Sequence, residues 1–538
     1  MKHFDTLGLM IDCSRNAVMK PEEVKRLVDL MARMGYNELM LYTEDTYEVG
    51  GEPFFGYLRG RYTKQELKDL DAYSASKGVS LVPCVQMLAH LGSVVRWEPY
   101  GQISDCMDII MIGEERTYTL IRNILSSLRE CFRTDKLHIG MDEAHFVGLG
   151  RYLKKHGPSD RLKIMQEHLA RICEMTKEYG FKPMMWNDMF FRLSDGTEET
   201  YQMIRESMPE DLSLVYWDYY HKDEKNYEDK IRQNKKICDN VRFAGGAWCW
   251  SGFAPHNAFS IDATRAAFAV CAREGVRDVM LTAWGDDGHE CSRYANLPSI
   301  AWGAALAENP NADEEYVRAR FAEWTGESYD DFMQLELINR IHDDPYSLQN
   351  PCKYLLYNDP FLGFMDSTVA LESSERFHRA TVALEEAAGR SRGYSYLFSS
   401  LAKLSYVLEL KCDLGIRTRA AYESSDREAL KKIAQEYLIC KERLEGFFEA
   451  FRKQWYTENK PHGFDIQEHR IGGLALRWES CAKRLLAYAN GEIDRIDELH
   501  EEILPYMASR AQGEGTIMNI YMRNVSPNVS APFYSPLC

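Results

Sequence analysis

The sequence lacks the features that would direct a protein to nucleic acid, into a membrane or out of the cell. No basic cluster offsets the formal charge of −17, so phosphate backbones and anionic membrane surfaces would be repelled. No run of about 18 or more uninterrupted apolar residues appears that could span a bilayer. The N-terminal apolar run is interrupted by Asp12 and Arg15 and has no small-residue cleavage signature behind it. We therefore expect a cytoplasmic protein with neither nucleic-acid nor membrane partners.

Paired cysteines are also missing. The 14 cysteines are scattered singly and never form the C-x-x-C pairs that zinc and redox sites use. We expect buried, reduced thiols, and we predict neither a bound metal nor another cofactor.

At 538 residues the chain is too long for a single compact core. Up to about residue 310, short β-rich apolar runs alternate with amphipathic helical stretches, which indicates βα units around a parallel sheet. The candidate strands are TLGLMID, ELMLYTED, VSLVPCVQ, KLHIGMDE, KPMMWND, LSLVYWD, VRFAGGAWCW and DVMLTAWGDD. Eight such repeats favour a (β/α)8 barrel. An open doubly wound sheet is disfavoured, since no glycine-rich phosphate turn follows the first strand.

Beyond the barrel the strand signals fade, and long amphipathic helices are predicted between about residues 366 and 505. We predict a catalytic barrel over residues 1–335 and a mostly α-helical domain over 336–538. The helical domain could pack against the barrel, complete a pocket or mediate a homodimer. The last stretch, residues 520–538, is rich in Pro and Asn and is predicted to be irregular chain.

Every candidate strand ends in polar or aromatic residues, which in such a barrel would face the active site. They are Arg15; Glu44 and Asp45; His90; His138, Asp142 and Glu143; Trp186 and Asp188; Trp217 to Tyr220; Trp248 and Trp250; Trp284, Asp286 and Asp287. Each alone has a structural explanation, as a helix cap, a loop histidine or a core tryptophan. Together, aromatic walls with interspersed carboxylates suit a sugar, whose C–H faces stack on indole while its hydroxyls need acceptors.

The sharpest signal is the adjacent acid pair Asp142 and Glu143 in LHIGMDEAH. Successive side chains of a strand point to opposite faces, so both acids reach one ligand only where the strand ends. Neighbouring acids cannot easily bracket a scissile bond as an acid and a nucleophile do, but they suit hydrolysis in which the sugar's own 2-acetamido oxygen attacks. The proton donor must start protonated, which an anionic neighbour and apolar indole walls would favour.

The segment from His138 to Glu143 resembles the H-x-G-G-D-E signature of glycoside hydrolase family 20, the β-N-acetylhexosaminidases, with Met141 in place of the second glycine. The resemblance covers about the first 310 residues. It implies a retaining, exo-acting enzyme that removes terminal β-linked GlcNAc or GalNAc from glycans. Glu143 would be the general acid/base and Asp142 would orient the acetamido group.

Further residues are assigned by the same resemblance. Asp12 and Arg15 resemble the family's D-x-x-R, and Trp284-Gly285-Asp286 is similar to its W-x-E. His90 would act with Asp45 to support the acid pair. The implied substrate-binding residues are Arg15, Asp45, His90, His138, Trp186, Trp217, Tyr219, Trp248, Trp250, Trp284 and Asp286.

Besides Met141, the sequence departs from the family pattern at two further places. The usual sugar-binding arginine upstream of the first strand is matched by Leu7, so Arg15 or another group would bind the distal hydroxyls. The usual Tyr-x-Asp is matched only by Trp248-Cys249-Trp250, so Tyr219 or Tyr220 would bond the acetamido carbonyl. The chain also begins at the first strand, which suggests a subgroup without the family's N-terminal accessory domain.

Three alternatives remain open at this point. A metal hydrolase is disfavoured because, on an extended strand, His138, Gly140 and Asp142 would share one face and Glu143 would point away. An O-GlcNAc-removing enzyme of a neighbouring substrate-assisted family would typically carry an Asp-Asp pair. A non-catalytic sugar-binding barrel would gain nothing from the intact acid pair.

Overall fold

The computed structural model describes residues 3–341 and 348–504, so the predicted irregular chain at 520–538 lies outside the described residues. The chain forms two compact units. The first contains the described residues of Met1–Ala247, Ser260–Ala283 and Ser299–Arg320, and the second contains those of Trp248–Phe259, Trp284–Pro298 and Phe321–Cys538.

The first unit is a closed barrel of eight parallel strands, each paired with its neighbours in sequence, and β8 closes the barrel against β1. The strands are β1 Thr6–Asp12, β2 Glu38–Tyr42, β3 Ser80–Cys84, β4 Lys136–His138, β5 Lys182–Trp186, β6 Ser213–Trp217, β7 Val241–Gly246 and β8 Asp278–Ala283. This arrangement confirms the predicted fold class.

The strands are apolar on both faces because one face lines the barrel and the other lies under helices. All seven residues of β1 are buried. Gly8 of β1 pairs with Glu38 of β2 and with Met280 of β8, and a side chain at Gly8 would approach Met280 Cβ to 3.0 Å. Glycine therefore allows three neighbouring strands to pack closely here.

Helices connect the strands, and several of them begin or end at residues that cap a helix. Thr63 forms a capping box with Glu66, and Gly35 ends the first helix in the left-handed conformation with φ 83°. The helices lying wholly or chiefly in this unit are Pro21–Met34, Lys64–Ser76, Gly92–Val95, Glu115–Cys131, Arg151–His156, Arg161–Glu178, Asp188–Leu193, Glu198–Ser207, Glu224–Ile237, Asn257–Arg273, Leu297–Glu308 and Glu314–Thr325. A 3-10 segment Glu98–Ile103 and a two-stranded ribbon, Ser104–Cys106 with Ile109–Ile110, follow β3.

The second unit is helical, as predicted. Its α-helices are Tyr329–Met333, Pro351–Tyr357, Ser373–Arg390, Ser395–Lys411, Leu414–Glu423, Arg427–Glu458 and Phe464–Ala489, with 3-10 segments Arg293–Asn296, Gln334–Asn339, Asp366–Thr368 and Asp497–His500. Aromatic rings such as Phe332, Tyr394 and Phe398 pack edge to face in its core. The predicted boundary at 335/336 falls within the segment Gln334–Asn339. Among the helices within residues 3–341 and 348–504, none combines the length and the apolar composition that a membrane span needs.

Candidate active site

The acid pair lies just beyond the end of β4. The strand ends at His138, and the chain then adopts positive φ at Gly140 (70°), Met141 (69°) and Glu143 (50°). The expectation that His138, Gly140 and Asp142 share one face of an extended strand is therefore wrong. Met141 keeps the left-handed conformation that glycine favours. A side chain at Gly140 would come within 2.1 Å of Gln86 Oε1, so this position requires glycine.

Asp142 is buried, with 8% of its surface exposed, and Gln86 fixes its orientation. Gln86 Nε2 donates to Asp142 Oδ1 at 2.7 Å and to the Tyr42 hydroxyl at 3.0 Å, while Gln86 Oε1 accepts from the Met141 amide at 3.0 Å. In the sequence, Gln86 is only the last residue of the third candidate strand, VSLVPCVQ. The sequence feature that could have identified Gln86 as a site residue is its position as a polar side chain after a buried strand, where active-site residues of a barrel lie.

His90 faces both acids of the pair. Its Nε2 lies 3.3 Å from Asp142 Oδ2 and 3.6 Å from Glu143 Oε2, and its amide donates to Asp108 Oδ2 at 3.0 Å. Burial favours the neutral imidazole, but the charge of Asp142 and its hydrogen bond outweigh burial and raise the pKa of His90 to about 10. His90 is thus a cation at neutral pH.

The same pair fixes the charge of Asp142. Burial acts to raise the pKa of this carboxyl, but the charge of His90 and hydrogen bonds from His90 and Gln86 together hold the pKa below its usual value. Asp142 is therefore an ionised carboxylate inside the barrel mouth. The two neighbouring acids differ sharply in exposure, since the Glu143 side chain is 47% exposed and the Asp142 side chain 11%.

Asp188, at the start of helix Asp188–Leu193, supports Glu143 from the neighbouring strand end. Its Oδ2 accepts from the Glu143 amide at 2.9 Å, and its Oδ1 lies 3.5 Å from Trp217 Nε1. Burial, aided by the charge of Asp142, raises the pKa of Asp188 to about 7. In the sequence, Asp188 is recognisable only as a polar residue at a strand end and not as a site residue.

Arg15 is enclosed by acids at the ends of β1 and β2. Its Nη1 lies 3.0 Å from Glu44 Oε1 and 3.5 Å from Asp12 Oδ2, and the arginine is 7% exposed. The Tyr42 hydroxyl donates to Glu44 at 3.0 Å. Burial raises the pKa of Glu44 to about 6, although Arg15 acts in the opposite direction. Tyr42 also contacts Gln86, which connects this cluster to the acid pair.

Asp45 is predicted to support the acid pair together with His90, but the hydrogen bond of its carboxylate is with another residue. Its Oδ1 accepts instead from Arg59 Nε at 3.3 Å, and Arg59 also reaches Asn16. Glu44 is the second-strand acid whose charge acts on His90. Both acids lie beyond the end of β2 at Tyr42, where Glu44 adopts a positive φ of 42°.

Aromatic rings lie beside this polar cluster at the ends of three neighbouring strands. The rings of His138 and Trp186 are 4.3 Å apart, and burial lowers the pKa of His138 to about 3, so this histidine is neutral. Trp217 stacks on Tyr219 with centroids 5.2 Å apart and an interplanar angle of 24°. Tyr219 is buried, whereas Tyr220 is 41% exposed.

The remaining predicted residues belong to the second unit. Trp248 stacks on Trp250 with centroids 3.8 Å apart, and Trp284 is 8% exposed. The Cys249 thiol lies 3.3 Å from the Trp284 carbonyl, and the Asp286 carbonyl accepts from a backbone amide at 3.1 Å. Their roles in sugar binding stay predictions. Within residues 3–341 and 348–504, no group of three or more His, Cys, Asp or Glu side chains is arranged to hold a metal ion.

A closed parallel β/α barrel with an acid pair at the carboxyl end of β4 is the arrangement expected of a barrel glycoside hydrolase. Comparison with known families supports this class over much of the chain. Residues 56–236 match the family model "Glycosyl hydrolase family 20, catalytic domain", and residues 330–518 match "Glycoside Hydrolase 20C C-terminal domain". The chain belongs to glycoside hydrolase family 20.

Individual relatives are distant. A β-hexosaminidase of Akkermansia muciniphila is 25% identical over 215 residues, which cover 33% of this chain and 43% of the relative. A β-hexosaminidase of Vibrio furnissii is 23% identical over 230 residues, covering 34% of this chain and 37% of the relative. The chain thus matches less than half the length of these curated relatives. The solved structure of an exo-β-N-acetylglucosaminidase from Vibrio harveyi with N-acetylglucosamine aligns with a TM-score of 0.47 and 15% identity, covering 64% of this chain and 59% of that one.

Proposed function

We propose that this glycoside hydrolase is an exo-acting, retaining β-N-acetylhexosaminidase that removes terminal β-linked GlcNAc or GalNAc from glycans by substrate-assisted catalysis. The observation that carries this proposal is the difference between two adjacent acids. Asp142 is buried, ionised and held by His90 and Gln86, while the Glu143 side chain is half exposed. One acid is therefore suited to a fixed electrostatic role and the other to exchanging a proton with substrate and water.

In the first step, the acetamido carbonyl oxygen attacks the anomeric carbon while the bond to the leaving oxygen breaks. Glu143 donates its proton to that leaving oxygen. Asp142 accepts a hydrogen bond from the acetamido N–H and stabilises the positive charge of the resulting oxazolinium ion. A carboxylate that is already oriented and desolvated provides this stabilisation without reorganising during the reaction.

In the second step, water attacks the anomeric carbon from the face that the leaving group vacated. Glu143, now ionised, accepts the proton of that water, and the acetamido oxygen is released. Two inversions at one carbon give overall retention. A protein nucleophile would instead require two carboxyl groups about 5 to 5.5 Å apart on opposite sides of the bond, which adjacent residues do not readily provide.

His90 has a supporting role in this scheme. As a cation beside Asp142, it keeps the carboxylate ionised in a buried site, where an isolated charge would be costly. His90 Nε2 also lies 3.6 Å from Glu143 Oε2, so it faces the proton donor as well. Trp217 stacked on Tyr219 offers a flat apolar surface for the sugar.

The deciding experiment measures release of p-nitrophenol from the β-N-acetylglucosaminide, the β-N-acetylgalactosaminide and the β-glucoside. We expect rapid release from one or both acetamido sugars and release from the glucoside at least about a hundredfold slower, because only the acetamido sugars carry the attacking oxygen. A sugar-binding protein without activity would release nothing from any of them. Equal rates on the glucoside, or a glycosyl ester trapped on a protein carboxylate, would contradict the proposal.

A further inference from the structure

The carboxyl of Asp188 contacts the backbone of Glu143 rather than its side chain. Asp188 Oδ2 accepts from the Glu143 amide at 2.9 Å, although the two residues are 45 positions apart. Asp188 follows β5, and Glu143 follows β4. The contact therefore joins the ends of two neighbouring strands directly at the proton donor.

The backbone of Glu143 needs such support. Its φ of 50° lies in the left-handed region, which is unfavourable for a residue other than glycine. A charge-assisted hydrogen bond to the amide of that same residue stabilises the turn. Because this turn sets the direction of the Glu143 side chain, loss of the contact would misplace the proton donor.

We propose that Asp188 is a positioning residue of the catalytic pair, which holds the Glu143 amide so that the Glu143 carboxyl is aimed at the leaving oxygen. This inference rests on the function proposed above. It concerns a residue that neither the family signature around His138 to Glu143 nor the aromatic wall includes.

The charges around Asp188 make its protonation state part of this role. It faces the carboxyls of Asp142 and Glu143 from the β4 loop and the indole N–H of Trp217 from β6. Asp142 is itself paired with the His90 cation. Burial raises the pKa of Asp188 to about 7, so the acceptor of the Glu143 amide changes between acid and carboxylate within the neutral range.

Three variants separate these effects. Asp188→Ala removes both acceptor and charge, whereas Asp188→Asn keeps a carbonyl acceptor without a charge. Asp135→Asn is the matched control, since Asp135 pairs with Lys182 at 2.8 Å at the opposite end of β4. We expect Asp188→Ala to lower kcat about tenfold or more with KM changed by less than about threefold, because a misplaced donor affects the transition state and not ground-state binding.

Asp188→Asn should retain kcat within about threefold of the native enzyme at pH 5.5, where Asp188 itself is protonated. Plots of log kcat against pH should show an inflection near pH 7 for the native enzyme and for Asp135→Asn. The plot for Asp188→Asn should show no such inflection. A native kcat in Asp188→Ala would overturn the proposal, and so would identical pH profiles in the native and Asp188→Asn enzymes. If Asp188→Asn retains kcat while Asp188→Ala loses it, the loss in Asp188→Ala is also not explained by a general folding defect from replacing Asp188.

A second measurement does not depend on activity. In protein labelled with 15N-glutamate, the Glu143 amide resonance is identified by its loss in Glu143→Gln. It should move downfield with a midpoint near pH 7 as Asp188 becomes the stronger, ionised acceptor, and it should not move in Asp188→Asn. An amide that titrates equally in both proteins overturns the inference even if the enzyme is active. A titrating amide in a protein without hexosaminidase activity would instead refute only the proposed function.

Discussion

His90 and Asp142 form a buried ion pair, with Nε2 of the imidazole 3.3 Å from Oδ2 of the carboxylate. Each residue determines the charge of the other, because the pKa of His90 rises to about 10 while that of Asp142 falls below its usual value. The strand ends that carry them belong to β3 and β4, which are adjacent in the barrel. The pair thus couples the fold's stability to the charge state of the candidate site.

Replacing His90 by Gln should change how stability depends on pH. The folded protein keeps a proton on His90 up to about pH 10, whereas the unfolded chain releases it near 6.5. The stabilisation is therefore complete below pH 6.5 and lost as pH rises towards 10, and we expect it to be about 3 to 5 kcal/mol. Urea unfolding from pH 6 to 10 should show a steeper fall for the native protein than for His90→Gln. His462→Gln, at an exposed position, should follow the native curve.

Replacing Glu143 by Gln should remove proton donation while conserving size. We expect kcat to fall about 10³-fold on aryl β-N-acetylglucosaminides with poor leaving groups, and much less with dinitrophenol, which leaves without a proton. The measurement is the slope of log kcat against leaving-group pKa in both proteins. Glu174→Gln, exposed on helix Arg161–Glu178, is the matched control. An equal loss with every leaving group would assign Glu143 another role.

The barrel could be predicted because its strands are short apolar runs separated by amphipathic helices. The ends of those strands could not be predicted equally well. Ile139 and Met141 continue the apolar pattern and are buried, yet the strand stops at His138. Burial in the mouth of the barrel favours apolar residues whether or not the backbone is extended, so composition alone does not mark where the strand pairing ends.

The sequence also does not show which side chains of the candidate site contact each other. Asp45 and Glu44 are adjacent and chemically similar, and only the fold assigns Arg59 to the first and Arg15 to the second. Gln86 was overlooked for a related reason, since it contacts Asp142 from 56 positions away. Residue type identified the acids that could react, but a residue that orients them is recognisable only once the strands are assembled.

Replacing Asp142 by Ala should abolish the preference for 2-acetamido sugars. We expect kcat/KM on the aryl β-N-acetylglucosaminide to fall about 10³-fold, because the oxazolinium charge loses its fixed counter-charge. Hydrolysis of the aryl β-glucoside, which uses no acetamido group, should change little. The measured quantity is the ratio of the two kcat/KM values, compared between native and variant proteins. An unchanged ratio would show that the amide of the sugar does not take part in the reaction.

Replacing Arg15 by Met tests the acid cluster at the ends of β1 and β2. The change leaves Asp12 and Glu44 without their shared cation in a site where Arg15 is 7% exposed, so we expect the free energy of unfolding to fall by about 3 kcal/mol at pH 8. The loss should be smaller at pH 5, because burial raises the pKa of Glu44 to about 6 and its neutral form does not need the guanidinium. Removing Arg15 also removes the charge that lowers this pKa, so stability of the variant falls as pH rises above 6, which is the expected sign for a carboxyl whose pKa is raised on folding. Urea unfolding at the two pH values measures the difference, with Arg33→Met at an exposed helix position as control. Equal losses at both pH values would mean that Arg15 stabilises the barrel by packing and not by neutralising Glu44.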